Sequence, residues 1–455
     1  LVYRPQRWAL LLNPPGNPIP EFAACDSLVP ELKGMAVMHQ GGYRDLQGQL
    51  AFSLECGGTK CPAIPVVPPA KETAGPDQWP SSFFRFVVHE AFHQHQQETF
   101  GDFPFEREEK YPLLLPENTA LASLEVLIVK EILVGIEQGL PTQSWEIRLR
   151  QFCAVRSLRW QAAPPAVSRF ERMEERNEGT ARYVDTRCGF LWDAGAGKPS
   201  LFPDRALARM LRDNFIGHDL DRLAYRPELV ARMRIYPLAA ALFSLLDLLE
   251  IPWKEPARSD PDFSPGDLLG KQLRLEGSSL ASLAGQAKSD FGYEAILSES
   301  REHIEEYLVA YRTGLASFES SGGSRIEISL AFPVGRARSG AKQTWLLDEG
   351  KRLLCQGYLV YRLTGEGFTF HLEGSGLVEE NNWDTRERKV QFFTPRIECC
   401  RMDGAEIIPS NVSEVPFHRL ELNGPNFRLE CSGSGILRNR EGGMFIAVTL
   451  ASPKQ

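Results

Sequence analysis

Residues 89 to 93 read His-Glu-Ala-Phe-His, and this pattern restricts the fold more than any other stretch of the chain. On an α-helix, positions i and i+4 share a face, so His89 and His93 can point their rings at one metal ion. Glu90 then sits about a hundred degrees around the helix, where it suits a general base acting on a metal-activated water. The preceding run Phe83-Phe84-Arg85-Phe86-Val87-Val88 is apolar enough to predict a buried helix whose histidines face a cleft. His95 is two residues beyond His93, rotated about two hundred degrees, and is not expected to be a ligand. A histidine pair of the core or the surface would carry the same letters. The decisive question is therefore a third ligand, because catalytic zinc sites generally have three protein ligands and a water.

The candidate lies in Glu171-Arg172-Met173-Glu174-Glu175-Arg176-Asn177-Glu178-Gly179-Thr180-Ala181-Arg182-Tyr183, which is helical by propensity apart from Gly179. As a regular helix it puts Glu171, Glu174, Glu178 and Asp185 on one face. Carboxylates so aligned repel unless cations neutralise them, and zinc with its histidines would do that. A solvated acidic face is the competing reading.

Asn177-Glu178-Gly179-Thr180-Ala181-Arg182-Tyr183 resembles the Asn-Glu-Gly-x-Ala-x-Tyr segment of the gluzincin metallopeptidases, the group of aminopeptidase N and thermolysin-like catalytic domains. The resemblance implies that Glu178 is the third zinc ligand. Tyr236-Pro237-Leu238-Ala239-Ala240-Ala241-Leu242 is similar to the aminopeptidase N segment in which a Tyr ahead of an apolar helix stabilises the oxyanion, and it lies 58 residues beyond Glu178. Pro237 suits the first helical position, which would leave Tyr236 at the helix mouth; an aromatic cap on a buried helix is the alternative. Ala239 stands where that family usually has Gly. The chain also departs from the pattern elsewhere. His93 and Glu178 are 85 positions apart, far more than is usual in the family, so helices are expected between them. The Gly-Ala-Met-Glu-Asn segment that recognises a free amino terminus has no counterpart, since Gly34-Met35-Ala36-Val37-Met38 lacks the carboxylate. The resemblance covers three short motifs within residues 83 to 250. It implies a zinc metallopeptidase: Zn²⁺ on His89, His93 and Glu178, with Glu90 and Tyr236 catalytic. The alternatives are an inactive zinc-binding or peptide-binding protein on a zincin scaffold, and an interaction module with a chance match.

At 455 residues, 43% hydrophobic and 24% charged, the chain is an ordinary globular protein with room for two or three domains. A net charge of −8 argues against a nucleic-acid surface or a polybasic membrane patch, so the expected partner is a peptide or protein substrate. No transmembrane segment is expected: 121 to 140 is interrupted by charges and 238 to 251 is short. Nine cysteines, with Cys56 and Cys61 able to close a small disulfide loop, lean towards a secreted or periplasmic setting, the cytoplasm remaining open. Gly195-Ala196-Gly197-Lys198-Pro199 lacks the Ser or Thr and the earlier Gly of a phosphate loop and reads as a turn.

The fold class expected is α+β. Residues 1–75 form a small β-sheet, with strands at Trp8–Leu12, Met35–His39 and Leu50–Leu54. Residues 76–319 form a mainly helical, zincin-like catalytic domain, with two helices between Glu117 and Ala163 and core stripes at Leu121, Leu124, Ile128, Ile132 and Ile136 and at Ile304, Tyr307, Leu308, Tyr311, Leu315 and Phe318. Ser320 to Ser324 reads as a linker. Residues 325–455 form an all-β, sandwich-like domain whose strands include Cys355–Leu363.

Overall fold

The computed structural model describes residues 1–4, 7–12, 20, 22–24, 35–41, 52–56, 59–66, 79–101, 106–195, 203–217, 226–275, 277–331, 335–347, 351–357, 359–409, 413–440 and 445–450. It is a mixed helix and sheet structure that divides into two compact units. The first comprises Leu1–Glu106, Leu121–Leu223 and Arg232–Tyr293; the second comprises Arg107–Ala120, Ala224–Ala231 and Glu294–Gln455.

The first unit opens with a six-stranded sheet. Its strands are β1 (Val2–Arg4), β2 (Trp8–Leu12), β3 (Ala23–Ala24), β4 (Ala36–Gln40), β5 (Phe52–Cys56) and β6 (Thr59–Pro65), in the order β3-β4-β2-β1-β6-β5. The expected strands at Trp8 and Met35 pair antiparallel, Leu10 opposite Met38. Leu50, Ala51 and residues 196–199 of the expected turn lie outside the described residues, as do the side chains of Cys56 and Cys61. Leu1, Tyr3, Ala9, Leu11 and Ala63 close the apolar face of this sheet.

Helices follow along the chain: α1 (Trp79–Thr99), α2 (Pro116–Glu137), α3 (Thr142–Ala162), α4 (Pro165–Glu174), α5 (Thr180–Gly195), α6 (Pro203–Gly217), α7 (Pro227–Val230) and α8 (Ile235–Leu248), of which α7 and the first turn of α2 belong to the second unit. The two expected between the histidines and Glu178 are α2 and α3, and Leu124, Ile128 and Ile132 of the α2 stripe are fully buried. Between α4 and α5 the helix does not break. Glu175–Gly179 forms a single π turn, so α4, the π turn and α5 are one rod with an extra residue in its middle. Further on come α9 (Lys254–Ser259), α10 (Pro265–Gln272) and α11 (Gly277–Asp290).

These helices are tied by a buried ion cluster that no periodicity argument foresees. Glu125 of α2 accepts from Arg156 at 2.9 Å and from Arg159 at 2.6 Å, both on α3. Glu171 of α4 accepts from Arg159 at 2.6 Å, from Trp160 Nε1 at 2.7 Å and from Arg234 at the head of α8. Glu175 pairs with Arg156 and takes the hydroxyl of Ser264 at 2.9 Å. All six charged groups are essentially inaccessible. Removing one member would leave a buried charge uncompensated, a cost of about 3–5 kcal/mol.

In the second unit α12 (Tyr293–Glu319) precedes fifteen described strands. One sheet is ordered β17 (Glu414–Phe417), β20 (Gly435–Arg440), β21 (Phe445–Leu450), β7 (Ser324–Ala331), β14 (Glu387–Thr394), β13 (Leu377–Asn382), β10 (Arg352–Gln356) and β9 (Gln343–Leu347). The other is ordered β16 (Ala405–Glu406), β15 (Cys399–Met402), β18 (Leu420–Gly424), β19 (Phe427–Cys431), β12 (Phe368–Glu373), β11 (Val360–Gly365) and β8 (Gly335–Ser339). Ile326, Leu353 and Phe392 of the first sheet meet Tyr361, Phe370 and Leu429 of the second in one core. Tyr307, Tyr311 and Phe318 of α12 cover the opposite face of the first sheet through Trp345, Leu354 and Val378. Over β9, β10 and β13 the first sheet is thus covered on both faces, and Ser320 to Ser324 lies within this unit.

The stretch Pro227–Leu248 is long and apolar enough to cross a membrane, and 78% of its most apolar window is buried inside the protein, as in any core helix.

Candidate metal centre

His89 and His93 stand one turn apart on α1, and their Nε2 atoms are 3.1 Å apart. Glu178, in the π turn, brings Oε2 to 3.2 Å from His89 Nε2 and 3.3 Å from His93 Nε2. The ligand atoms of these three residues all lie within 4.8 Å of one another, and the group could hold a metal ion. The structure thus brings together the three residues marked as ligands in the sequence.

The π turn determines which carboxylate arrives. In an unbroken α-helix residues seven apart fall on nearly one face, and Glu171, Glu178 and Asp185 would all look the same way. The extra residue of the π turn shifts that phase between the first two but not between the last two. Glu171 accordingly faces the buried arginines, whereas Glu178 and Asp185 both reach His89. The expected single row of carboxylates is corrected on this point. Cations do neutralise it, but for Glu171 they are Arg159 and Arg234.

Each histidine is held on its far side. His89 Nδ1 lies 3.1 Å from Asp185 Oδ2; a carboxylate only accepts, so Nδ1 carries a proton and Nε2 is the nitrogen at which a second proton or a cation can sit. Asp185 itself is braced by Arg85 at 3.1 Å and Arg182 at 3.2 Å. His93 Nδ1 lies 2.6 Å from Gln96 Oε1. The Gln96 amide nitrogen reaches Asn177 O and Thr180 Oγ1, each at 2.7 Å, and Thr180 spends its own proton on Arg176 O at 2.7 Å. The amide must therefore donate at that end and accept from His93 at the other. Gln96 is fully buried and fastens α1 to the π turn.

Glu178 is flanked by charge. Burial alone would raise its carboxyl, but hydrogen bonds to His89 and His93 and the Arg232 guanidinium hold it far below the usual range. Burial lowers His89, and the hydrogen bonds to Asp185 and Glu178 outweigh it, taking the imidazole up to about 9. Glu90 is pushed up by burial, with His93 and His89 opposing and Glu178 adding to the rise. It is half-buried beside the cluster and outside the ligand group.

Tyr236 lies in the first turn of α8, which begins at Ile235, so Pro237 is third in the helix rather than first. The change costs no hydrogen bond, since the first-turn N–H groups have no partner within a helix. Its ring stacks near His89, centroids 6.1 Å apart, and burial together with Glu178 drives its hydroxyl well above the usual phenol range despite Arg232. His95 points away and bonds Thr99, as expected. The run ahead of His89 is only partly covered: Phe83, Phe84, Val87 and Val88 are half-buried and Phe86 is 37% exposed. The expectation of a fully buried helix is corrected, although His89 itself is buried.

Sequence reasoning missed Gln96, Arg85 and Arg232. Gln96 is three residues past His93 on the same helix face, and a search for the acceptor that a metal-binding histidine needs would have met it. Arg232 is one turn ahead of Tyr236, a spacing equally visible.

No family model, curated protein or solved structure matches this chain.

Proposed function

We propose that the chain is a zinc-dependent hydrolase of the gluzincin type, a metallopeptidase built on a zincin-like helical core. The observation that carries this reading is the meeting of His89, His93 and Glu178 from two helices, each with its far side tied down. Two imidazoles and one carboxylate are a borderline-soft donor set suited to Zn²⁺, and a three-residue set leaves the fourth position open, as catalytic zinc requires. Bound there, zinc would lower the pKa of a water and polarise a peptide carbonyl.

The protein's own residues do the rest. Glu90, adjacent to the ligands but not among them, takes the proton of the attacking water and passes it to the leaving amine. Its raised pKa brings it nearer the range in which it can do both. Tyr236 donates its hydroxyl proton as a hydrogen bond to the carbonyl oxygen as negative charge develops there. Asp185 and Gln96 fix the tautomers of the two histidines.

Metal analysis of the purified chain, with a peptide-library digestion, tests the reading. About one zinc per chain is expected, lost in Glu178→Ala and kept in Glu174→Ala, and Glu90→Gln should keep metal and fold while abolishing cleavage. Undiminished turnover in Glu90→Gln would remove the base from the mechanism.

A further inference from the structure

Arg232 makes two contacts that no account of the ligands alone requires. Its Nη2 donates to Glu178 Oε1 at 2.7 Å, and its Nε donates to the Tyr236 hydroxyl oxygen at 3.0 Å. Glu174 Oε2 stands 3.6 Å from Nε. The other oxygen of Glu178, Oε2, is the one that faces both histidines.

The chemistry of each group turns these contacts into constraints. A guanidinium is planar, always charged and presents its donors in a fixed fork. With Oε1 engaged by that fork, Glu178 has one oxygen to offer a cation. A phenol has a single proton; where its oxygen accepts from Arg232, that proton is directed away from the guanidinium. One side chain therefore sets the orientation of a ligand and of the hydroxyl beside it. We infer that Arg232 is a positioning residue that keeps Glu178 a one-oxygen ligand and holds Tyr236 by its oxygen so that the hydroxyl can donate elsewhere. The inference rests on the metal-site reading above.

A purely structural ion pair is the competing account, and exposure separates the two. The Arg232 side chain is 41% exposed, a setting in which ion pairs add little to stability. Its loss should leave the fold standing and change the site.

The test uses the full chain with Arg232→Lys, Arg232→Gln and Arg232→Ala. Zinc affinity is measured by competition with a chromophoric chelator, the visible spectrum is recorded with Co²⁺, and kcat and KM are separated on a peptide that the wild type cuts. Arg232→Gln and Arg232→Ala should bind zinc roughly ten- to a hundredfold more weakly, the scale of a lost outer-shell partner. The Co²⁺ spectrum should change, kcat should fall with KM little altered, and the thermal midpoint should hold. Arg232→Lys should recover part of the affinity, and added guanidinium at low millimolar concentration should restore Arg232→Ala. Wild-type zinc affinity and Co²⁺ spectrum in Arg232→Ala would overturn the inference. So would a loss of affinity that tracks a loss of thermal stability and that guanidinium does not repair. A wild-type chain that binds no zinc sinks both this inference and the function proposed above. A chain that binds zinc and cleaves nothing sinks only the peptidase, because the affinity comparison still decides the role of Arg232.

Discussion

Gly179 and Ala239 meet where the π turn crosses α8, so closely that a Cβ built on Gly179 would stand 2.4 Å from the Ala239 methyl. The neighbour is short and its backbone is next, so nothing flexible can give way. Gly179→Ala should destabilise the protein by about 1–3 kcal/mol, the usual cost of forcing a methyl into a packed interior. The double variant Gly179→Ala with Ala239→Gly should recover most of that loss. Urea unfolding of the four-member cycle measures it, and additive effects would mean that the two residues do not share this contact.

Asp185 is expected to matter through His89. Asp185→Ala removes the acceptor at Nδ1 and the carboxylate that Arg85 and Arg182 share, so zinc affinity should drop roughly ten- to a hundredfold. Asp185→Asn can keep an acceptor oxygen towards the imidazole and should lose less. Equal affinities in both variants and wild type, by chelator competition, would make Asp185 irrelevant to the site.

Metal uptake should release a proton. Burial lowers the His89 pKa, but Asp185 and Glu178 carry it to about 9, so the metal-free protein holds His89 protonated at neutral pH. That protonation stabilises the metal-free fold fully below the ordinary value of 6.5 and ceases to do so as pH climbs through about 9. A cation competes with the same proton, so affinity should rise with pH up to about 9 and then level off. Calorimetric titration in two buffers of different ionisation enthalpy should show proton release at pH 7; identical heats in both would contradict it.

Tyr236→Phe keeps the ring beside His89 and deletes only the hydroxyl. We expect bound zinc and an unchanged KM, with kcat lower by roughly a hundredfold or more, as for a lost oxyanion donor. Full activity would reduce Tyr236 to a packing residue.

The ion cluster sets an acid limit. Burial raises Glu171 and Glu125, but the surrounding arginines, Arg159 and Arg234 for the first and Arg156 and Arg159 for the second, hold both below the ordinary 4.5. Such groups contribute stability above that ordinary value and withdraw it as pH falls through their lower folded-state pKa. Glu175, raised by burial, acts in the opposite sense and softens the effect. The urea midpoint should fall steeply below about pH 4.5, and Glu171→Gln, less stable at pH 7, should show a shallower fall. Parallel pH profiles for the two proteins would exclude the cluster as the source.

The metal group was legible because its signals are local: a four-residue spacing, and a short motif around Glu178. The stripes of α2 and α12 were legible for the same reason. What escaped were features settled by other parts of the chain. Nothing in Glu175-Arg176-Asn177 announces a π turn; it follows from Glu171 being drawn to Arg159 and Arg234 while Glu178 is drawn to His89. β13 reads Leu-Val-Glu-Glu-Asn-Asn and looks like a loop, yet Glu379 is buried because Arg336 pairs with it at 2.9 Å and Arg388 lies 3.4 Å away. The expected strand Cys355–Leu363 is two strands, since Gly357 at φ +85 turns the chain between β10 and β11.

The π turn also says how far such a centre depends on the length of its helix. It amounts to one surplus residue inside an otherwise continuous rod. Deleting a single residue between Glu175 and Asn177 would let the rod wind as plain α-helix with neither end turned, because the π turn already absorbs that residue. Glu178 and Asp185 would then stay with His89, and Glu171 upstream would keep its arginines. A chain one residue shorter here could therefore hold the same three side chains together, whereas one that kept every residue but straightened the π turn into plain α-helix would carry Glu178 about a hundred degrees away from His89.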